Sequence, residues 1–190
     1  MTPVLVTPPA ELPVSLAEAK AHLRIDHADE DAQVTAAVAA ATAHLDGWDG
    51  VLSRALVTQT WDIGFPGFRT RLRLPLRPVQ SVTSVTYRDS DGAEQTFTDF
   101  LLHFDALGAY LAPAPDAEWP ETQARDDAVT VRIVAGYGAA SDVPPPLKSA
   151  ILLLTSHLFD QRGAVAFGGS PIELPFGVAS LIAPYRATAF

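Results

Sequence analysis

The sequence predicts an α+β fold: a helical bundle with an inserted small antiparallel β region and an extended C-terminal arm. Apolar residues recur at helical spacing near both ends of the chain, and short alternating runs separated by Pro, Gly and Asp occupy its middle. With 190 residues, of which 48% are hydrophobic, the chain can form one compact core but not two large domains. We therefore expect a helical domain over residues 1–163, with its β region at about 55–134, and a linker and arm over residues 164–190.

The first helix is predicted to begin at Ser15. The Ser15 hydroxyl can accept a hydrogen bond from the backbone amide three residues later, and the Glu18 carboxylate can accept one from the Ser15 amide, which is the pattern of a capping box. Leu16, Ala19 and Leu23 then share one face of the helix.

The second helix is predicted to follow the acidic residues 26–31, since a helix N-terminus favours negative charge, and to end near Gly47 and Gly50. Its buried stripe has apolar residues three or four positions apart, namely Val34, Val38, Ala41, Leu45 and Trp48. Small residues on a second face would let another helix approach closely, either within the chain or from a neighbouring subunit. The candidate inter-subunit residues on this face are Ala36, Ala37, Ala40 and Ala43.

The middle of the chain, from Leu56 to Val134, has the alternation and turn residues of an antiparallel sheet. The strongest strands are expected at 58–63, 79–87 and 129–134. The motif at 89–92 predicts a hairpin turn, because its glycine tolerates positive φ. Further strands are expected at 71–74, 96–97, 101–104 and 109–111, and an exposed loop at 113–127.

A third helix is predicted to begin at the prolines 144–146, which a first helical turn tolerates, and to stop at 161–163. Its buried stripe consists of Leu147, Ala150, Ile151, Leu154 and Leu158. A linker containing Gly168 and Gly169 follows. A last short helix is expected over 178–185, where Pro184 would bend or end it.

The composition excludes several kinds of function. Without cysteine, the chain has no disulfide, no thiolate metal site and no cysteine nucleophile. Its formal net charge of −9 argues against independent DNA binding, because phosphate binding draws on clustered Lys and Arg. No apolar run approaches the roughly 20 residues that cross a bilayer, and the N-terminus lacks the basic region of a signal peptide. We expect synthesis in the cytoplasm and no membrane partner.

Residues 136–141 form a glycine-containing turn between a strand and a helix, which superficially resembles a phosphate-binding turn. A third glycine is missing, and no second strand supplies an acidic residue for a ribose. A tight structural turn is therefore the favoured interpretation. The alternative is a small α+β ligand-binding or enzyme domain that uses Gly136–Ser141 to bind an anion.

The remaining polar motifs do not converge on a metal or catalytic site. Asp89, Asp91 and Gly92 resemble the opening of a calcium loop, but the closing Glu is absent. The acidic residues near His27 are neighbours on a helix and do not converge, and His157 is expected to be an interior or interface residue. No serine lies in a nucleophile elbow or near an arranged His and carboxylate. We expect no cofactor, no metal and no enzymatic activity.

Arg69, Arg71, Arg73 and Arg77 form the only basic cluster of the sequence, and the first three share one face of a strand. They can form a solvated strand edge, whose like charges prevent unwanted pairing. They can also form a surface for an acidic partner. The sequence leaves both interpretations open.

Several segments, taken in order, cover nearly the whole chain. They are PVSLAEAKAHLRID (13–26) with the alanine-rich helix after it, SRALVTQTW (53–61), LPLRPVQSV (74–82), AGYG (135–138), VP followed by LKSAI (143–151), LPFGV (174–178) and LIAPYR (181–186). In this order they resemble the head-tail connector (adaptor) proteins of long-tailed phages and of phage-derived gene transfer agents. One departure is Gly163, where family members often carry an acid, so a subunit contact made by that acid has no counterpart here.

The resemblance implies a helical bundle carrying a β insertion and a non-enzymatic structural role. It implies a homo-oligomeric, twelve-fold ring beneath the portal protein, with a stopper or tail-terminator component on its other side and DNA passing through without sequence-specific binding. It also implies location in a virion or gene transfer agent particle, assembled in the cytoplasm of a bacterial host. Family members dock onto the portal through C-terminal segments, and the corresponding residues here are Phe176, Leu181, Ile182, Tyr185, Arg186 and Phe190. A different tail-completion subunit, a stopper or terminator, is an alternative.

Overall fold

The structure, a computed structural model, describes residues 3–160 and 176–186, which form two compact units. Unit 1 contains the described residues up to Ala10 together with Thr58–Tyr137. Unit 2 contains Glu11–Val57 and the described residues from Gly138 onward. Unit 1 holds antiparallel sheets and unit 2 holds helices, so the predicted α+β class is confirmed.

The described residues of unit 1 form eight strands in two antiparallel sheets. In chain order they are β1 (Val4–Thr7), β2 (Gln59–Phe65), β3 (Leu72–Arg73), β4 (Val79–Arg88), β5 (Glu94–Thr96), β6 (Phe100–Asp105), β7 (Gly108–Pro113) and β8 (Val129–Ala135). The larger sheet has the strand order β1-β2-β8-β4-β5, and the smaller one has the order β3-β7-β6. The strands expected at 101–104 and 109–111 are present as β6 and β7.

The two central strands, β2 and β8, bury alternate residues along their whole length. Ile63 lies opposite Val131 in the register, and both are fully buried. On the other face Asp62 lies opposite Arg132, and its carboxylate accepts two hydrogen bonds of 2.7 Å from the guanidinium. The period-two pattern therefore fixes which face carries the core and which carries the cross-strand ion pair.

The predicted hairpin turn after β4 is confirmed. Gly92 has a φ of 83°, in the left-handed region that favours glycine. The Asp89 carboxylate accepts hydrogen bonds from the backbone amides of Asp91 (3.1 Å) and Ala93 (2.9 Å). This side chain thus performs the turn-stabilising role expected of Asp at such a position.

The described part of unit 2 has four α-helices: α1 (Leu16–Leu23), α2 (Asp31–Leu45), α3 (Pro145–Asp160) and α4 (Phe176–Ile182). Short 3₁₀ turns at Ala140–Asp142 and Ala183–Tyr185 precede α3 and follow α4. The predicted capping box of α1 is confirmed, because the Ser15 hydroxyl accepts from the Glu18 amide and the Glu18 carboxylate accepts from the Ser15 amide.

Helix α2 packs against α3, and its predicted stripe faces the core of unit 2. Val34, Val38, Ala41 and Leu45 are all buried, whereas Trp48 lies beyond the end of the helix and is partly exposed. On α3 the stripe is buried through Leu154, but its last member is exposed. That residue, Leu158, has 42% of its surface accessible.

The N-terminal strand β1 was not predicted from the sequence. It pairs antiparallel with β2, so that Val4 lies opposite Asp62 and Leu5 opposite Trp61. The β region is therefore completed by a strand from the chain's beginning, in addition to the residues expected at about 55–134.

Candidate assembly surfaces

Helix α4 contains Phe176, Leu181 and Ile182, three of the six residues that the resemblance assigns to partner docking, and Tyr185 and Arg186 follow it. Val178 and Ile182 are fully buried, and α4 packs against α3. Leu181 and Tyr185 are partly exposed, and Arg186 is exposed. Ile182 therefore stabilises unit 2, while the exposed parts of the other three residues are available to a partner.

Two further residues of the predicted docking set are not characterised by the structure. Phe176 is the first residue of α4, but its side chain lies outside the described part of the molecule. Phe190 lies outside the described residues altogether, as do the predicted linker residues 164–175. The described part of the predicted arm is helical.

The end of this segment is attached to the loop that follows α2. The Arg54 Nε atom donates a hydrogen bond of 2.5 Å to the backbone oxygen of Tyr185, and the contact is partly buried. Pro184 ends the regular helix, because it cannot donate a backbone hydrogen bond. The hydrogen bond to Arg54 thus fixes the backbone immediately before Arg186.

The small-residue face of α2 is largely open to solvent. Ala36, Ala40 and Ala43 are exposed, whereas Ala37 is buried with 8% of its surface accessible. Three of the four predicted inter-subunit residues are therefore uncovered within a single chain. Their short side chains leave room for the backbone of another helix.

The glycine-containing turn at 136–141 is filled by the protein's own carboxylates. The Asp142 carboxylate accepts a hydrogen bond of 2.9 Å from the Ala139 amide, and the Glu11 carboxylate accepts one of 2.9 Å from the Ala140 amide. A Cβ added to Gly138 would collide with the Asp142 carboxylate. Two amides that could hold an external anion already have anionic partners, which weighs against the anion-binding alternative.

The predicted basic cluster is organised around Asp105 and Tyr110. Arg73 binds the Asp105 carboxylate through two hydrogen bonds of 2.8 and 2.7 Å, and this contact is the main cause that lowers the pKa of Asp105 to about 2. Arg71 lies 3.9 Å from the same carboxylate. The guanidinium carbons of Arg71 and Arg73 lie 4.8 and 5.3 Å from the centre of the Tyr110 ring. The cluster is therefore a structured surface rather than a row of independent strand-edge charges.

The metal-like motifs have ordinary structural partners. Asp89 supports its hairpin turn and also accepts a hydrogen bond from Gln95. His27 lies 4.0 Å from Asp29 and 3.9 Å from Glu30, at the solvated entrance of α2. Within residues 3–160 and 176–186, no group of three or more His, Cys, Asp or Glu side chains could hold a metal ion. Nor does any helix in this part of the chain have the length and apolar character required to span a bilayer.

Sequence reasoning did not identify one exposed apolar feature, the tip of the β6–β7 hairpin. Phe104 and Leu107 have 64% and 45% of their surface accessible. In the sequence, Gly108 after an apolar run indicates a turn at this position. The exposure of Phe104, however, depends on the register between β6 and β7, which the sequence does not reveal.

The chain is similar to chains in solved structures of gene transfer agent particles. No protein-family model matches the chain, and no curated protein matches it. A solved structure described as the neck of an empty GTA particle, computed with C6 symmetry, contains a chain with a TM-score of 0.80 and 26% identity. The virion of a native gene transfer agent particle contains a chain with a TM-score of 0.79 and 26% identity. The neck of a native GTA particle, computed with C12 symmetry, contains a chain with a TM-score of 0.75 and 26% identity.

In each of these three comparisons the match covers 100% of this chain and 97% of the other. The similarity therefore includes both units and is not confined to one common motif. It supports a structural role for this chain in a phage-like or gene transfer agent particle.

Proposed function

We propose that the chain is the adaptor subunit of a head-to-tail connector, which forms a twelve-membered ring between the portal protein and a stopper or tail-terminator component. The observation that carries the proposal is the full-length similarity to neck chains, one of them in a particle computed with C12 symmetry. DNA passes through the ring without sequence-specific contacts. The protein acts by assembly and not by catalysis.

Ring formation requires contacts between neighbouring copies, and the alanine face of α2 is the proposed contribution of unit 2. A cyclic ring uses heterologous interfaces, in which one surface of a subunit meets a different surface of the next. Ala36, Ala40 and Ala43 are exposed and small, so a neighbouring element can approach the α2 backbone closely. Ala37 lies at the edge of this face and is mostly covered by its own chain.

Portal docking is assigned to the exposed surface of the segment 176–186 and to Phe190. Leu181 and Tyr185 supply apolar surface, and Arg186 supplies a positive charge. Arg54 holds the backbone of Tyr185, so part of the docking surface is ordered before a partner binds. Preorganisation of this kind lowers the entropic cost of association.

The charge of the chain fits a ring that surrounds DNA without holding it. A lumen that binds phosphates tightly would obstruct passage, since each neutralised phosphate adds to the affinity. The formal net charge of −9 supports such a ring.

The test is electron microscopy of purified portal rings mixed with the protein. Deletion of the whole C-terminal segment is a poor variant, because Val178 and Ile182 belong to the core of unit 2. A sharper variant is Leu181→Asp combined with Arg186→Glu, which changes only exposed or partly exposed side chains. We expect the wild-type protein to add a ring to the portal and the double variant to fold normally without adding one.

Two results would contradict the proposal. Density for this chain on the tail side of another connector ring would identify it as a stopper or terminator instead. Thermal stabilisation by nucleotides or phosphate sugars would favour the ligand-binding alternative. Normal attachment of the double variant would remove the docking assignment while leaving the ring assignment in place.

A further inference from the structure

Unit 1 carries a cleft whose walls combine arginines with aromatic rings. Two open cavities of about 550 and 380 Å³ share Arg69 and Arg71. The larger is also lined by Phe68, Tyr110 and Trp119. The smaller is formed mainly by apolar and arginine side chains, among them Phe65, Pro66 and Leu72.

The positive charge in this cleft is only partly neutralised. Asp105 binds Arg73 with two short hydrogen bonds, whereas its contact with Arg71 is 3.9 Å long. The side chain of Arg71 is 56% exposed. Arg69 is exposed and forms no ion pair with any residue of the described ranges. Two guanidinium groups therefore remain available for a carboxylate, the anion whose geometry they match best among protein groups.

An unused hydrogen-bond donor accompanies these charges. Trp119 stacks on Phe68 with ring centres 4.5 Å apart and planes inclined by 8°, and it also contacts Phe97. Its indole N–H is buried and has no acceptor within the described part of the chain. A buried donor without an acceptor costs about 1–3 kcal/mol, so an oxygen that reached it would be bound favourably.

We propose that this cleft binds an acidic peptide segment that also carries an apolar side chain, supplied by a protein partner. Arg69 and Arg71 bind its carboxylates, and the apolar side chain enters the smaller cavity beside Phe65, Pro66 and Leu72. A single chain in solution binds this peptide, so binding does not require ring formation.

The surrounding charge favours a short acidic peptide over nucleic acid. Residues 58–137 contain seven arginines and eleven Asp and Glu residues, and Glu118 lines the larger cavity itself. An extended polyanion such as duplex DNA would cover more than the cleft, on a unit whose carboxylates outnumber its arginines. A peptide with two or three carboxylates can confine its charge to the cleft. The aromatic and apolar walls add contacts that a phosphate backbone does not use.

The test uses the full-length protein and a synthetic peptide of alternating glutamate and phenylalanine. Binding is measured by isothermal titration calorimetry and by tryptophan emission, with Trp119→Phe identifying the part of the emission change that comes from the cleft. The comparison probes are the same peptide with lysine in place of glutamate, the same peptide with serine in place of phenylalanine, and duplex DNA.

The decisive variant is Arg69→Ala with Arg71→Ala, and its matched control is Arg125→Ala, an exposed arginine of the same unit that lines neither cavity. We expect the double variant to bind the glutamate-phenylalanine peptide at least about tenfold more weakly at an unchanged melting temperature. The control variant should bind like the wild type, and both substituted peptides should bind more weakly. Failure of the wild type to bind the peptide, equal binding by the double variant, or tighter binding of DNA would each overturn the proposal.

Discussion

The Nζ atom of Lys148 donates a hydrogen bond of 2.8 Å to Oε1 of Glu18, so the carboxylate that caps α1 is also bonded to α3. A single side chain thus completes the N-terminus of one helix and joins it to another within unit 2. The pKa of Glu18 is lowered from 4.5 to about 2. The largest cause is the hydrogen bond from Lys148, followed by the backbone and hydroxyl hydrogen bonds from Ser15.

The first prediction concerns the pH dependence of this contact. Because the pKa of Glu18 is lowered on folding, its contribution to the free energy of unfolding is complete well above pH 4.5 and is lost as the pH falls from 4.5 toward 2. Replacement by glutamine should lower the free energy of unfolding by about 1 kcal/mol at neutral pH, a figure that allows for screening of a half-exposed group. Urea unfolding of both proteins over this pH range measures the difference.

The matched control is Glu121→Gln, an exposed glutamate in the loop after β7. It should leave the free energy of unfolding almost unchanged at every pH. A difference between wild type and Glu18→Gln that stayed constant into the acid range would show that the carboxylate contributes nothing through its charge.

The second prediction concerns the turn between β8 and α3. Gly138 has a φ of 136°, and an added Cβ would collide with the Asp142 carboxylate that binds the Ala139 amide. Gly138→Ala should therefore lower the free energy of unfolding by about 1–3 kcal/mol. Gly177→Ala is the control, because its Cβ would meet Leu153 at an ordinary 3.5 Å. Thermal unfolding that ranked the two variants in the opposite order would contradict the turn geometry.

The third prediction separates folding from docking on α4. Ile182 is fully buried, so Ile182→Ala should cost about 2–4 kcal/mol of stability. Leu181 is partly exposed, so Leu181→Ala should cost less than about 1 kcal/mol and should weaken attachment to the portal instead. Denaturant unfolding and cosedimentation with portal rings measure the two effects. Equal loss of stability in both variants would mean that α4 has no separate docking side.

The fourth prediction concerns the alanine face of α2. Ala40→Arg places a long charged side chain on an exposed helix position, so the stability of the single chain should change by no more than about 0.5 kcal/mol. Ring assembly should be lost, because the close approach to α2 is blocked. Ala21→Arg on the exposed side of α1 is the control and should assemble normally. Negative-stain micrographs and sedimentation velocity provide the readouts, and intact rings of Ala40→Arg would exclude this face from the interface.

The features that sequence reasoning predicted correctly depend on residues close together in the chain. Ser15 and Glu18 are three residues apart, and the Asp89 turn involves only its immediate successors. The buried stripe of α2 follows from helical periodicity alone. Each of these patterns specifies its own partner without knowledge of the rest of the fold.

The features that were not predicted depend on pairings between distant segments. β1 is a strand because it pairs with β2, more than fifty residues later. Asp105 organises the arginine cluster through a contact across 32 positions, and the two carboxylates that fill the glycine turn include one from Glu11, 129 positions away. The burial of Ile182 likewise depends on tertiary packing, so its apolar character alone could not distinguish a core residue from a docking residue.

Unit 2 is formed by two separate stretches of the chain, and this affects how the protein folds during its synthesis. Helix α2 ends at Leu45, whereas α3, against which it packs, begins only at Pro145. At typical synthesis rates this interval of about a hundred residues takes about 5–20 s. During that time the apolar stripe of α2 has no partner, and the remaining strands of unit 1, β2 to β8, are all translated before α3. We therefore expect unit 1 to fold first on the ribosome, and chains that terminate before α3 to be a source of aggregation during expression.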